Sequence, residues 1–267
     1  MAVERPPPAP VRQPPAADWE HYALWQRVWD ALRAVPDYFK TTTSIEGILG
    51  PDIFTLNTVL GATIEEQVVR TLNSLRSVWD PDKKYQNYAF ERQAQVFPDV
   101  ILRRKTDGED HIAMGIELKG WYLLAKEGAP SLRFQTTAAA CNPWDLIVVV
   151  PWSLSNVLAG SPMTFAPWIE LARYCAERRN YFWRYERKAK GDPTIVQSTH
   201  TTPYPKKSDL IADRAVVDNS NFGRLARYGI MTDYIAQMKA MPLSGIPVTA
   251  WLTFFKKFER AHEEGGE

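Results

Sequence analysis

The sequence predicts an α/β protein: a mixed central sheet flanked by helices, with a helical C-terminal part. Three observations carry that class. From Leu56 to Trp79 the spacing is helical, with Ile64, Val68, Leu72 and Leu75 on one stripe. From Phe97 to Trp121 two short strand-like pieces flank the polar, glycine-containing connection Lys105-Thr106-Asp107-Gly108-Glu109-Asp110, which makes a β-hairpin. The run Asp145-Leu146-Ile147-Val148-Val149-Val150-Pro151-Trp152 is continuous and β-branched, the pattern of a strand buried on both faces.

Composition sets the bounds. With 267 residues, 45% of them hydrophobic, and ten tryptophans, the chain can bury a large core. A net charge of +1 excludes a bulk basic protein, so any nucleic-acid surface has to come from local clustering. His21, His111, His200 and His262 are dispersed and no Cys-x-x-Cys occurs, which argues against a zinc site and against histidine-centred nuclease chemistry. Cys141 and Cys175 sit in apolar surroundings and read as reduced core cysteines. No secretory apolar region follows Met1 and no apolar run is long enough to span a bilayer, so a soluble, cytoplasmic protein with no membrane partner is expected.

In chain order, residues 1–17 are a Pro-rich, extended, disordered tail, and residues 18–267 form a single domain. Asp18 can cap a first helix that carries Trp19 to Val35 and stops at Pro36. Tyr85, Tyr88 and Phe90 favour a strand leading into the hairpin. Residues Ser131 to Cys141 fit a helix, with Arg133 and Gln135 near its start. Pro167 to about Lys188 reads as a long helix. Its far end, from Arg178 and Arg179 onward, mixes cations with aromatics. That composition fits phosphate contacts with base stacking, and equally a solvated face over buried aromatics. Pro203-Tyr204-Pro205-Lys206-Lys207-Ser208 is a stiff basic loop, and the chain is helical again from Phe222.

The hairpin carries the chemistry. By the two-residue period of a strand, Ile116 and Leu118 point one way, Glu117 and Lys119 the other. If the face of Asp99 aligns with theirs, Asp99, Glu117 and Lys119 converge. Two adjacent carboxylates repel unless a proton or a cation intervenes, and their oxygens suit Mg²⁺. On the preceding helix, Glu65 falls on the rim facing the domain and Glu66 on the solvent side.

Pro98-Asp99 followed by Glu117-Leu118-Lys119 resembles the Pro-Asp…(Asp/Glu)-x-Lys signature, PD-(D/E)XK, of the restriction-endonuclease-like nuclease superfamily. The resemblance implies a restriction-endonuclease-like fold and a Mg²⁺-dependent endodeoxyribonuclease, most like a type II restriction enzyme. Asp99 and Glu117 would bind the metal, Glu65 would be an outer ligand, Lys119 would position the attacking water and Gln135 would support the site. The substrate would be double-stranded DNA, and a separately encoded DNA methyltransferase is a possible partner. Cutting two strands with one site per chain is simplest in a two-fold homodimer. Candidate DNA contacts are Lys126, Arg133, Arg178, Arg179, Lys206 and Lys207. A repair or recombination nuclease of the same fold is an alternative. So is a catalytically inactive DNA-binding module, although the intact Asp99, Glu117 and Lys119 weigh against it.

Overall fold

The computed structural model describes residues 6–93, 96–106, 109–188, 191–199, 202–217 and 221–264. The first part of the Pro-rich tail, Asp107 and Gly108 of the hairpin connection, and residues 94–95 of the preceding strand region lie outside the described residues. The elements run α1 (Tyr22–Tyr38), α2 (Leu56–Ser74), α3 (Arg76–Trp79), β1 (Tyr88–Arg92), β2 (Val100–Thr106), β3 (Glu109–Tyr122), β4 (Leu146–Asn156), β5 (Ala159–Thr164), β6 (Trp168–Leu171), α4 (Ala172–Tyr181), β7 (Ile195–Val196), β8 (Arg214–Ala215), α5 (Thr232–Ala240), β9 (Pro242–Leu243), β10 (Ile246–Pro247) and α6 (Val248–Glu264). This is a mixed α/β protein with a curled central sheet and helices packed on it.

Among the described residues the sheet order is β1-β2-β3-β4-β5, with β6 also paired to β4. The first three strands are antiparallel neighbours, β3 and β4 are parallel, and β5 and β6 return antiparallel along different halves of β4. Leu146 to Leu154 are all buried, as a continuous apolar run dictates for a strand covered on both faces. Each fully buried Val or Leu there contributes about 1.5–3 kcal/mol of transfer free energy.

Helix α2 lies across β1 and β3, held by polar side chains as well as by its apolar stripe of Ile64, Val68 and Leu72. Asn73 donates to the carbonyl of Phe90 and accepts from its N–H, both at 2.9 Å, so it completes the open edge of β1. Asn57 accepts from the N–H of Tyr122 at 3.2 Å. These ties fix the helix along the strand that carries Glu117 and Lys119.

Several expected elements differ. Helix α1 begins after His21, not Asp18, without a side-chain cap. It runs past Pro36 to Tyr38, the N–H of Phe39 still reaching the carbonyl of Val35 at 2.8 Å. Residues Ser131 to Cys141 are extended apart from a single turn at Ala138–Ala140. Their backbone bonds go to distant loops instead: Phe134 N–H to Gly223 O at 2.7 Å and Thr137 N–H to Ile211 O at 2.7 Å. The helix expected from Pro167 starts only at Ala172, because Trp168–Leu171 finds the free half of β4 and pairs with Leu146–Val149 as β6. Beyond α4 the turn widens into a π-helical segment, Phe182–Glu186. Residues 6–17 have no regular structure except where the turn at Ala17 begins. They nonetheless make specific contacts: Arg12 pairs with Glu170 at 2.7 Å and the Tyr181 hydroxyl donates to Pro7 O at 2.9 Å. Among the described residues no helix is long and apolar enough to cross a membrane. Cys141 and Cys175 are free and buried.

One close approach sets the hairpin. A Cβ placed on Gly115 would sit 2.3 Å from Cγ of Pro98 and 3.0 Å from Oδ1 of Asp145. Gly115→Ala should therefore push the Pro98-Asp99 segment off β3 and destabilise the fold by about 1–3 kcal/mol, the usual cost of overpacking. Thermal unfolding measures it, and a melting temperature equal to that of the wild type would show that Pro98 yields freely.

Candidate active site

The β2–β3 register pairs Val100 with Ile116, so the next step outward sets Asp99 beside Glu117. Their backbones lock the arrangement. The Oδ2 of Asp99 accepts from the N–H of Leu118 at 3.2 Å, and the main-chain amide of Asp99 in turn lies against the Glu117 carboxylate. Gln93 braces the other side: its N–H donates to Asp99 O at 2.6 Å and its side chain to Pro98 O at 2.9 Å. Ile116 and Leu118 are buried while Glu117 and Lys119 are half-buried, in line with the alternation of a strand.

Glu65 reaches the same place from α2. Its Oε1 accepts from Lys119 Nζ at 3.2 Å and from Gly120 N–H at 3.1 Å, and its Oε2 lies 3.8 Å from Arg92. The Glu65 side chain is 13% exposed and that of Lys119 30%, so the pair is shielded but open to one side. Glu66 faces outward and pairs with Arg70. The expected outer metal ligand is therefore already engaged by a cation and a backbone amide, and the direct effect of Glu65 is to hold Lys119 next to Glu117.

Without a cation the acidic pair is electrostatically strained. Burial pushes the Asp99 carboxyl up to about 6, with the charge of Glu65 adding to it and the Leu118 amide opposing. Burial, then the neighbouring Asp99 charge, pushes Glu117 up to about 8. Among the described residues no group of three or more His, Cys, Asp or Glu side chains gathers to hold a metal ion. Two hard oxygen donors at the edge of a cleft fit Mg²⁺, which keeps several of its waters, better than they fit a fully protein-ligated metal.

Around the pair the chain forms a cleft of about 320 Å³ lined by Phe97, Asp99, Glu117, Arg133, Gln135, Lys206 and Lys207, among others. A second hollow of about 280 Å³ shares Asp99, Glu117 and Arg133 and continues to Glu65 and Lys119. So Arg133, Gln135, Lys206 and Lys207, scattered in sequence, stand around the hairpin carboxylates. Gly223 lets this happen: at φ +89° it lies so close to residues 133–135 that a Cβ would come within 2.7 Å of Gln135 Cγ and 2.9 Å of Arg133 Cγ.

The remaining candidate cations are elsewhere. Arg179 is not a DNA contact. It is wholly buried, pairs with Asp213 at 2.5 Å, and donates to the carbonyls of Phe134 and Thr136 at 2.9 and 3.0 Å. A guanidinium with no solvent access cannot reach a phosphate; this one holds the cleft-lining segment in place. Arg178 pairs with Glu186 at 2.6 Å and packs against Tyr181, and Lys126 pairs with Glu259 of α6 at 2.9 Å. Neither lines the cleft. Sequence reasoning missed Arg92, Gln93, Asp145 and Asp213. Of these only Asp145, a lone acid directly before an apolar strand, carried a local signal. No protein-family model matches the chain, and no curated protein matches it.

The raised Glu117 pKa has a signed consequence. In the unfolded chain Glu117 ionises near the ordinary value of 4.5, in the folded metal-free protein only near 8. Between those values the folded state binds more protons, so this group costs stability as pH rises. Glu117→Gln should thus be about 1–2 kcal/mol more stable than wild type at pH 8 in chelator, after discounting for solvent access, and level with it near pH 5. Urea unfolding at the two pH values measures the difference; a gap that does not change with pH would contradict the strained pair.

Proposed function

We propose that the chain is a Mg²⁺-dependent endodeoxyribonuclease of the restriction-endonuclease-like type. The activity that fits best is that of a type II restriction enzyme cutting double-stranded DNA as a two-fold homodimer. The observation that carries this is the meeting of Asp99, Glu117 and Lys119 beside a cleft edged by Arg133, Lys206 and Lys207. The reading is also supported by a helix that carries Glu65 ahead of an antiparallel hairpin bearing two carboxylates and a lysine, the order that the sequence resemblance implies.

Asp99 and Glu117 would hold Mg²⁺, which when bound supplies Lewis-acid polarisation of the phosphate and lowers the pKa of water. Lys119, held in place by Glu65, would donate hydrogen bonds to the attacking water and to the phosphate oxygen on which charge builds. Arg133, Lys206 and Lys207 attract the DNA backbone and set its height above the carboxylates. Gln135, which lines the cleft, would offer an uncharged donor and acceptor to the reacting phosphate. A methyltransferase encoded separately would protect host DNA if substrate choice is by sequence.

Asp99→Asn keeps the shape and removes a charge, so both metal affinity and cleavage should collapse. Lys119→Ala should leave divalent-ion binding intact or tighter, since a repulsive cation is gone, while cleavage falls by about 10²–10⁴-fold. Calorimetry with Ca²⁺ and cleavage of duplex DNA in Mg²⁺ separate the two. A folded Lys119→Ala protein that cuts at the wild-type rate would remove the nuclease assignment. Digestion of several DNAs with the same preparation distinguishes sequence-limited cutting, which gives discrete bands, from cutting limited to forks or flaps.

For the cleft edge, replacing Lys206 and Lys207 together by alanine should weaken duplex binding in Ca²⁺. It should also make log K less dependent on log salt, by roughly 0.9 for each phosphate that is no longer neutralised. An unchanged slope would exclude the loop as a partner of the DNA backbone.

A further inference from the structure

Tyr204 stands out as a strained residue with a buried partner. It has φ +53°, a left-handed conformation that a tyrosine rarely adopts. Its neighbours do not ask for it: the prolines at 203 and 205 fix their own φ, and a residue before proline favours extended backbone. Such a conformation persists when surrounding structure holds it. The hold here is the phenol, whose hydroxyl donates to Oδ1 of Asp145 at 3.1 Å and also meets the side chains of Asn142 and Trp144.

Asp145 is fully buried and its carboxylate joins three parts of the chain. Oδ1 also accepts from the N–H of Gly115 at 2.8 Å, and Oδ2 from the N–H of Asn142 at 2.8 Å. Gly115 is the residue of β3 on which Pro98 rests, next to the Asp99–Glu117 pair. One carboxylate oxygen therefore ties the strand bearing Glu117 to the loop bearing Lys206 and Lys207. Past the anchor the loop is exposed at Lys206, Lys207 and Ser208, and closes on itself through Lys206 N–H to Asp209 Oδ2 at 2.8 Å and Asp209 N–H to Lys206 O at 2.9 Å. Its far end is held by Thr137 N–H to Ile211 O and Asp213 N–H to Gln135 O, at 2.7 and 2.8 Å.

We infer that Tyr204 is a positioning residue that pins the near end of the basic loop to Asp145, fixing the height of Lys206 and Lys207 above the Asp99–Glu117 pair so that they engage a phosphate there. The inference rests on the nuclease reading for the identity of the phosphate, while the pin itself is a property of the chain alone. Removing one hydroxyl leaves Asp145 with both backbone donors, so the fold survives while the loop is released.

Tyr204→Phe in the full-length protein tests this. Its melting temperature should fall by no more than roughly 2–4 °C. Trypsin should cut after Lys206 and Lys207 several-fold faster than in wild type, and Ca²⁺ affinity should stay unchanged. Duplex affinity in Ca²⁺ should drop about tenfold with a shallower salt slope. In a Lys206→Ala/Lys207→Ala background the same substitution should have no further effect on DNA binding, because it acts through those lysines. Equal tryptic rates in Tyr204→Phe and wild type would overturn the pin. A loss of DNA affinity that persists without the lysines, or that comes with weaker Ca²⁺ binding, would overturn the positioning role. Wild-type protein that binds no DNA would refute the nuclease reading, and the tryptic comparison would still decide the pin.

Discussion

Two carboxylates held side by side are the constraint from which the rest of the structure takes its order. The register of β2 against β3, with Pro98 lying flat on Gly115, leaves Asp99 nowhere to go but beside Glu117. In a partly buried setting that costs free energy, and the surroundings offset only part of it. Three carboxylates, with Glu65, face two nearby cations, Lys119 and Arg92. Burial therefore keeps the pair from being fully ionised at neutral pH, with Asp99 pushed up to about 6 and Glu117 to about 8, so charging both carboxyls costs stability.

The supporting structure is built from polar contacts at low dielectric. Asn57, Glu65 and Asn73 tie α2 to the backbone of β3 and β1, which puts Glu65 against Lys119. Arg179 and Asp213 form a pair with no solvent access, and they also bond to the carbonyls of Phe134 and Thr136, the side chain of Asn180 and the N–H of Ser198. Such a pair adds little net stability over an apolar replacement, but removing one partner strands the other, so it enforces a single arrangement of the segment carrying Arg133 and Gln135. Asp145 does the same with backbone amides and the Tyr204 hydroxyl. The cleft thus has a rigid acidic floor and basic walls hung from buried charges.

Much of this was legible along the chain wherever the physics is local. Strand alternation separated Glu117 and Lys119 from Ile116 and Leu118, helical phase put Glu65 inward and Glu66 outward, and the apolar run from Leu146 announced the central strand. Reading failed where a segment's hydrogen-bond partners lie far away in sequence. Trp168–Leu171 is spaced like the start of a helix, yet the open half of β4 offers it a ladder. Arg133 to Thr137 sits where a helix was expected, yet its amides meet Gly223 and Ile211.

The same division holds for the charges. Arg178, Arg179, Lys206 and Lys207 are alike as letters, two adjacent cations beside aromatics or prolines. What the sequence by itself determined is the hairpin chemistry: an acid at a strand start and an acid and a lysine two apart on a strand, a geometry that the period of two enforces. Only the tertiary structure decided which cations serve that hairpin. Burial against Asp213 turned Arg179 into a structural strut, Glu186 took Arg178, and the Asp145–Tyr204 tie brought Lys206 and Lys207 to the cleft. The fate of a charge depends on the solvent and partners that the whole fold leaves it, and no local spacing encodes those.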